Sequence, residues 1–263
     1  MKFIEMFPVG KLPMTPYVNQ ELIYFNTDIE TRQIDTGYNS DISYSFNSHG
    51  YRSPEFTQQG DINLLSIGCS VTFGNGIPVD KRFGDVFASL LSNNTQKTVV
   101  NWNMAMPGES IDYIVRTSVL AIPILKPDIL ITNFPSFARR EFFDNNGNRF
   151  DYRPKRQVDN RIEKELFSHL ENLSSYYDDL ARFFINYKLI ESVVELYNCK
   201  WLYALQKCDL EQYAEISVHC RDEWRVPSLQ RVDVARDNGH PGVETNRLHG
   251  VNYYDKYMAI HRL

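Results

Sequence analysis

The chain has 263 residues, 43% of them hydrophobic, with 16 Tyr, 16 Phe and 3 Trp. That is enough apolar material for one packed α/β core and far from the composition of a disordered chain. A formal net charge of -5, spread along the chain without a basic stripe, argues against nucleic acid as a partner, and no run of about 18 apolar residues offers a membrane span.

At the start, MKFIEMFPVGKLPM is interrupted by Glu5, Pro8 and Pro13, so it lacks the apolar run of a signal peptide and a soluble, cytoplasmic protein is expected. Residues 1–61 are rich in Pro, Asn, Thr, Ser and Tyr with weak periodicity, which predicts an irregular lead-in holding a short strand or two. Ile62 to Ile67 is a short apolar run ending in Gly68, and apolar residues then recur at helical spacing from Phe83 to Leu91, giving strand, turn and helix. A second unit repeats the pattern: a strand over 98–102, a turn at Pro107-Gly108 and a helix from about Ser110 to Leu125. Asp128 to Thr132 reads as a third, buried parallel strand. The polar stretch from about Asn145 to Arg161 predicts a long loop. Residues 162–196 carry an amphipathic pattern, Leu166, Leu170, Leu173, Tyr177, Leu180, Phe184 and Leu189, expected as one broken helix or a helical pair inserted at about 155–197. Trp201 to Leu205 is a further buried strand, and a helix from Gly242 closes the chain. Strands alternating with helices predict a parallel sheet covered on both faces, within a single domain spanning 1–263.

Four cysteines, Cys69, Cys199, Cys208 and Cys220, fit neither a disulfide framework nor a CxxC metal pattern and read as buried thiols. His219-Cys220 has no second closely spaced pair to complete a metal site.

Two segments carry chemistry. In Ser66-Ile67-Gly68-Cys69-Ser70-Val71-Thr72-Phe73-Gly74 a serine follows directly on a strand end, at the edge where open α/β sheets bind ligands. There its hydroxyl can meet a substrate and neighbouring N–H groups an oxyanion, although the same pattern also serves as a plain helix cap or a phosphate-binding turn. No Gly-Lys-Ser/Thr follows, so a P-loop is excluded. The second segment is Arg236-Asp237-Asn238-Gly239-His240-Pro241-Gly242. A serine hydroxyl needs a neutral imidazole to take its proton, and that imidazole needs a carboxylate to hold its other nitrogen. Asp237 and His240 are spaced to do this on one turn, or else Asp237 merely caps the last helix beside an incidental histidine.

Taken together, in the order Ser, Asp, His, these segments resemble the SGNH (GDSL-like) hydrolase superfamily. Gly68-Cys69-Ser70 is similar to its Gly-Asp-Ser block with Cys69 in place of Asp, and Asp237-Asn238-Gly239-His240 to its Asp-x-x-His block. Ala105-Met106-Pro107-Gly108-Glu109-Ser110 looks like the second block, and Ile131-Thr132-Asn133-Phe134 like the third, lacking its Gly and its following Asp. Phe46 to Glu55 (FNSHGYRSPE) resembles a lead-in found in one branch of the superfamily, and residues 140–230 are not covered.

The resemblance implies a three-layer α/β/α sandwich, flavodoxin-like, with Ser70 as nucleophile, His240 as base and Asp237 as its orienter. Gly108, through its N–H, and Asn133, through its side chain, would complete the oxyanion hole. It implies a serine esterase needing neither metal nor organic cofactor, acting on a small-molecule or glycan ester, with short-acyl and above all O-acetyl substrates on carbohydrate expected. An O-acyltransferase, or a carbohydrate-binding protein without turnover, is the alternative on the same scaffold. His49, His169, His219, His249 and His261 lack a comparable Asp and read as surface or packing residues, and Arg139-Arg140 as pairing with Glu141 and Asp144.

Overall fold

The computed structural model describes Pro8 and residues 10–24, 42–154, 161–173, 175–206 and 210–261. In chain order the elements are β1 (Glu21–Tyr24), β2 (Ile42–Ser45), β3 (Ile62–Gly68), α1 (Ser70–Phe73), α2 (Phe83–Thr95), β4 (Val99–Asn103), α3 (Ile111–Leu125), β5 (Ile129–Phe134), β6 (Arg140–Phe143), β7 (Arg149–Tyr152), α4 (Arg161–Leu173), α5 (Tyr176–Leu196), β8 (Lys200–Leu205), α6 (Leu210–His219) and α7 (Val243–His261).

β4, β3, β5 and β8 form a parallel sheet in that order, with Ser66 opposite Asn103, Gly68 opposite Asn133 and Asn133 opposite Ala204. This is the doubly wound order of flavodoxin-like folds, which place ligands beyond the carboxyl ends of the strands. Val226 N–H donates to Tyr203 O at 2.8 Å, and a single parallel bridge joins Tyr203 to Arg225 where a fifth strand would pair.

All six residues of β5 are buried, as expected of a parallel strand covered on both sides. On one face Leu65, Ile67, Trp102, Leu130 and Phe134 pack against Ile114 of α3 and Phe183 and Tyr187 of α5. On the other, Leu64, Ile129, Ile131 and Leu202 meet Phe83 and Phe87 of α2 and Tyr253 and Tyr257 of α7. Each fully buried Phe contributes about 1.5–3 kcal/mol of transfer free energy, so these two layers hold the sheet. Among the described residues no helix is long and apolar enough to cross a membrane.

The region expected as a helical insertion is a helical pair, α4 and α5, and α5 is the crossover between β5 and β8. Ser175 caps α5, its side chain accepting from Asp178 N–H. The predicted loop beginning at Asn145 is corrected in its first part: β6 and β7 pair as an antiparallel hairpin, Arg140 opposite Tyr152. Its turn is organised by Asp144, whose Oδ1 accepts from Asn146 and Asn148 N–H at 2.9 and 2.7 Å.

The lead-in is bound tightly to the sheet edge. β1 and β2 pair antiparallel, and Arg52, only 2% exposed, donates to Phe73 O (3.2 Å), Gly74 O (2.8 Å) and Ile77 O (2.9 Å). These carbonyls end α1 and begin the next loop, so one buried guanidinium satisfies acceptors that a four-residue helix cannot. Arg82 Nη1 in turn donates to Arg52 O at 2.6 Å.

Cys69, Cys199 and Cys220 are buried and unpaired, and burial pushes the thiols of Cys199 and Cys220 up to about 12, which keeps them protonated and inert. Cys208 lies outside the described residues.

Candidate active site

Ser70 is the first residue of α1, immediately beyond β3, and is partly exposed. The preceding Cys69 turns inward, 1% exposed, where its Sγ accepts from Gln206 Nε2 at 3.0 Å and from Ser70 Oγ at 4.0 Å. The thiol thus replaces the expected Asp as a buried anchor between the ends of β3 and β8.

His240 and Asp237 share a tight turn. His240 Nδ1 is hydrogen-bonded to Asp237 Oδ2, while Asp237 Oδ1 accepts from His240 N–H at 2.9 Å and Gly239 N–H at 3.0 Å. Burial pushes the Asp237 carboxyl up, but hydrogen bonds from the His240 ring, His240 N–H and Gly239 N–H outweigh it, and the net displacement is downward. The carboxylate therefore stays charged and fixes the ring with Nε2 as the nitrogen left to take a proton.

Contact through Gly76 ties this turn to the nucleophile. A Cβ on Gly76 would lie 3.0 Å from Ala235 Cβ, 3.1 Å from Arg236 N and 3.3 Å from Asp237 N, and the residue holds φ +71. Arg236 N–H donates to Gly76 O at 3.2 Å, and Gly76 N–H to Tyr44 Oη at 2.7 Å. The loop that follows α1 is thereby packed directly on the loop that carries Asp237 and His240. The last helix is capped by another residue, Asp233, which accepts from Glu244 and Thr245 N–H at 2.9 and 2.8 Å. Asp237 is left to serve His240.

Gly108 follows β4 in a turn with φ +82, and a Cβ there would collide with the Arg153 guanidinium, 1.8 Å from Nη2. Only glycine fits. Ser110 then caps α3, its side chain accepting from Tyr113 N–H at 3.2 Å.

Asn133, the expected side-chain donor to the oxyanion, is 0% exposed, lies near the end of β5 opposite Gly68, and its Nδ2 and Oδ1 find no hydrogen-bond partner among the described residues. If its side chain donates to the oxyanion, replacing Asn133 with Ala should lower kcat on the order of a hundredfold or more while KM moves little. An unchanged kcat would remove Asn133 from the site.

Other expectations are settled by position. His249 is buried against Phe83 and Tyr253, and burial lowers its imidazole to about 3. His219 ends α6 against Phe184. Phe134 and Glu109 are buried. Arg140 pairs with Asp178 and Asp179 of α5 in place of Glu141 and Asp144, and Arg139 Nη1 donates to Glu109 O at 3.4 Å. Among the described residues the one cluster of metal-ligating groups is Glu109, Glu141 and Asp151, and Arg149 contacts all three. Sequence reading missed the pairing of Arg149 with Glu109, 40 residues away, and that of Arg52 with carbonyls 21 to 25 residues away.

No protein-family model and no curated protein matches the chain. Among solved structures it is similar to TesA, with a TM-score of 0.50 and 9% identity, covering 75% of this chain and 99% of that one. It is also similar to the psychrotrophic esterase EstA from Pseudoalteromonas sp., with a TM-score of 0.48, 10% identity and coverage of 77% and 100%. A member of the lipolytic G-D-S-L family from Veillonella parvula aligns with a TM-score of 0.39, 11% identity and coverage of 76% and 98%. At these identities the likeness is one of fold alone, an α/β architecture with a central parallel sheet.

Proposed function

We propose that the protein is a serine esterase in which Ser70 is the nucleophile, His240 the general base and Asp237 the residue that orients it. The observation that carries this reading is the His240–Asp237 hydrogen bond on a turn packed against Gly76, six residues beyond Ser70. In the proposed reaction His240 Nε2 takes the proton of Ser70 Oγ as the oxygen attacks the ester carbonyl. The N–H groups of Ser70 and Gly108, with the side-chain N–H of Asn133, stabilise the resulting oxyanion. Collapse of the intermediate breaks the bond to the alcohol, which leaves with the proton from His240. Water, deprotonated by the same nitrogen, attacks the acyl-serine, and the carboxylic acid departs as Ser70 regains its proton. Every proton and electron pair has a place among these residues, so the scheme calls for no cofactor.

The proposed substrates are short-acyl esters, acetyl above all, of a polar alcohol such as a carbohydrate hydroxyl. Beyond the ends of β3 and β5, Asn75, Ser136 and Arg139 are partly exposed, while Phe134 is withdrawn into the core. A polar rim suits hydroxyl groups and gives no continuous apolar groove for a long alkyl chain.

A fluorophosphonate probe should label Ser70, and p-nitrophenyl acetate should be turned over faster than the octanoate or palmitate ester, with acetate released from an acetylated glycan. Absence of labelling would move the protein to the non-catalytic carbohydrate-binding reading. Faster turnover of the longer esters would overturn the substrate class, and transfer of acetyl to an added sugar in preference to water would identify an acyltransferase.

A further inference from the structure

Arg139, Arg149 and Arg153, at the start, in the second strand and just beyond the end of the β6–β7 hairpin, converge on two consecutive residues of the oxyanion loop. Arg139 Nη1 donates to the carbonyl of Glu109 at 3.4 Å, Arg149 Nη2 is paired with the Glu109 carboxylate, and the Arg153 guanidinium lies on the Cα of Gly108. We infer that this hairpin is a clamp that sets the Gly108 N–H for the reaction, with Glu109 and Arg149 as positioning residues. The inference rests on the esterase reading above and concerns residues that its proton transfers leave unused.

The clamp is itself anchored. Glu141 of β6 takes Arg116 Nη2 at 2.8 Å and Arg149 Nε at 3.2 Å, and Glu141 N–H donates to Asp112 Oδ2 at 2.9 Å, which fixes the hairpin to α3. Arg149 Nε also donates to Asp151 Oδ1 at 2.6 Å. Arg149 therefore stands among three carboxylates, so the site has its cation already and needs no metal to balance it. One of the three, Glu109, is the residue after the glycine, only 7% exposed, and a shift in its side chain is transmitted through a single Cα–Cα link. Misplacement of a catalytic group by about 1 Å costs on the order of 10² in rate.

Burial pushes the Glu109 carboxyl up to about 7, against the opposing pull of Arg149, with Asp151 and Glu141 adding to the rise. Tyr51 and Tyr113 lie beside it, and Arg116 and Arg149 are the cations that face this group of residues. The sign follows directly. The native state binds a proton that the unfolded chain has released, so Glu109 costs stability as pH rises from the ordinary carboxylate range to about 7. A residue kept for stability would not be an acid here, and this separates a positioning role from a structural one.

Glu109→Gln should therefore melt no lower than wild type at pH 8, yet show kcat reduced 10- to 100-fold with KM within about threefold. Adding Arg149→Met should lower kcat no further than the worse single variant, as expected of one unit. If Arg149→Met does not fold, Arg139→Ala, which alters a partly exposed side chain, should still lower kcat at unchanged KM. Amide exchange at Gly108, read by mass spectrometry, should quicken in Glu109→Gln whether or not any ester is turned over. Wild-type kcat in a folded Glu109→Gln, multiplicative losses in the double variant, or unchanged exchange at Gly108 would each overturn the clamp. A wild-type protein that exchanges as expected but neither labels nor turns over any ester would instead overturn the esterase reading.

Discussion

Ser70→Ala should lower kcat on the order of 10⁵- to 10⁶-fold, His240→Ala should do the same, and the double variant should be no worse than either. The reason is mechanical. Without Nε2 the Ser70 hydroxyl keeps its proton, and without the hydroxyl the imidazole has nothing to deprotonate. Residual turnover above the uncatalysed rate would come from the Ser70 and Gly108 N–H groups acting on bound ester. The measurement is single-turnover hydrolysis of p-nitrophenyl acetate with melting curves for each variant. Losses that multiply in the double variant would show that the two side chains do not work together.

Asp237→Asn should cost about 10⁴ in kcat while leaving the fold intact. Asn can keep the shape of the turn, but its amide can present an N–H to Nδ1 and so strand the ring proton on Nε2, where a base is needed. The same substitution has a second, independent consequence. Because Asp237 is displaced below the ordinary carboxylate range, its ionised form adds stability above that range, and the contribution is lost as pH falls through the depressed value. The Asn variant should lose this acid-range component of stability. An Asn variant with wild-type kcat would leave Asp237 as a turn former only.

Much of the framework was legible because it follows from burial. The runs before Gly68 and after Pro127 are mostly apolar, as strands covered on both faces are, and they form β3 and β5 of the parallel sheet. The catalytic candidates Ser70, Asp237 and His240 were legible from residue type and local spacing. Gly108 emerged from the resemblance, and its φ of +82 is a conformation that favours glycine.

The burial of Asn133 was not legible, because whether an Asn ends a strand or passes one step beyond it depends on the parallel register with β3, which local composition does not encode. The β6–β7 hairpin was passed over as polar loop because Arg140, Glu141, Arg149 and Asp151 obscure its alternation, yet Asp144-Asn145-Asn146-Gly147 between aromatic runs is a hairpin signal. Arg52 sits in the FNSHGYRSPE segment singled out by resemblance, but its burial and role as a strap carried no signal, since arginine is rarely buried and its three carbonyl partners lie 21 to 25 residues away.

The packing of α7 against α2 bears on how activity arises as the chain folds. Phe83 N–H donates to Asn246 Oδ1 across 163 positions, and the turn with Asp237 and His240 is docked at the same end of the molecule. The Ser70 turn and its Arg52 strap are made from residues before 78, through contacts 21 to 25 positions apart. The base is delivered by a closure that spans most of the chain, the kind of contact that forms slowly. During biosynthesis or refolding, Ser70 can therefore stand in its finished turn while still chemically silent. Regain of esterase activity would then time the arrival of the last helix, separately from the formation of the sheet.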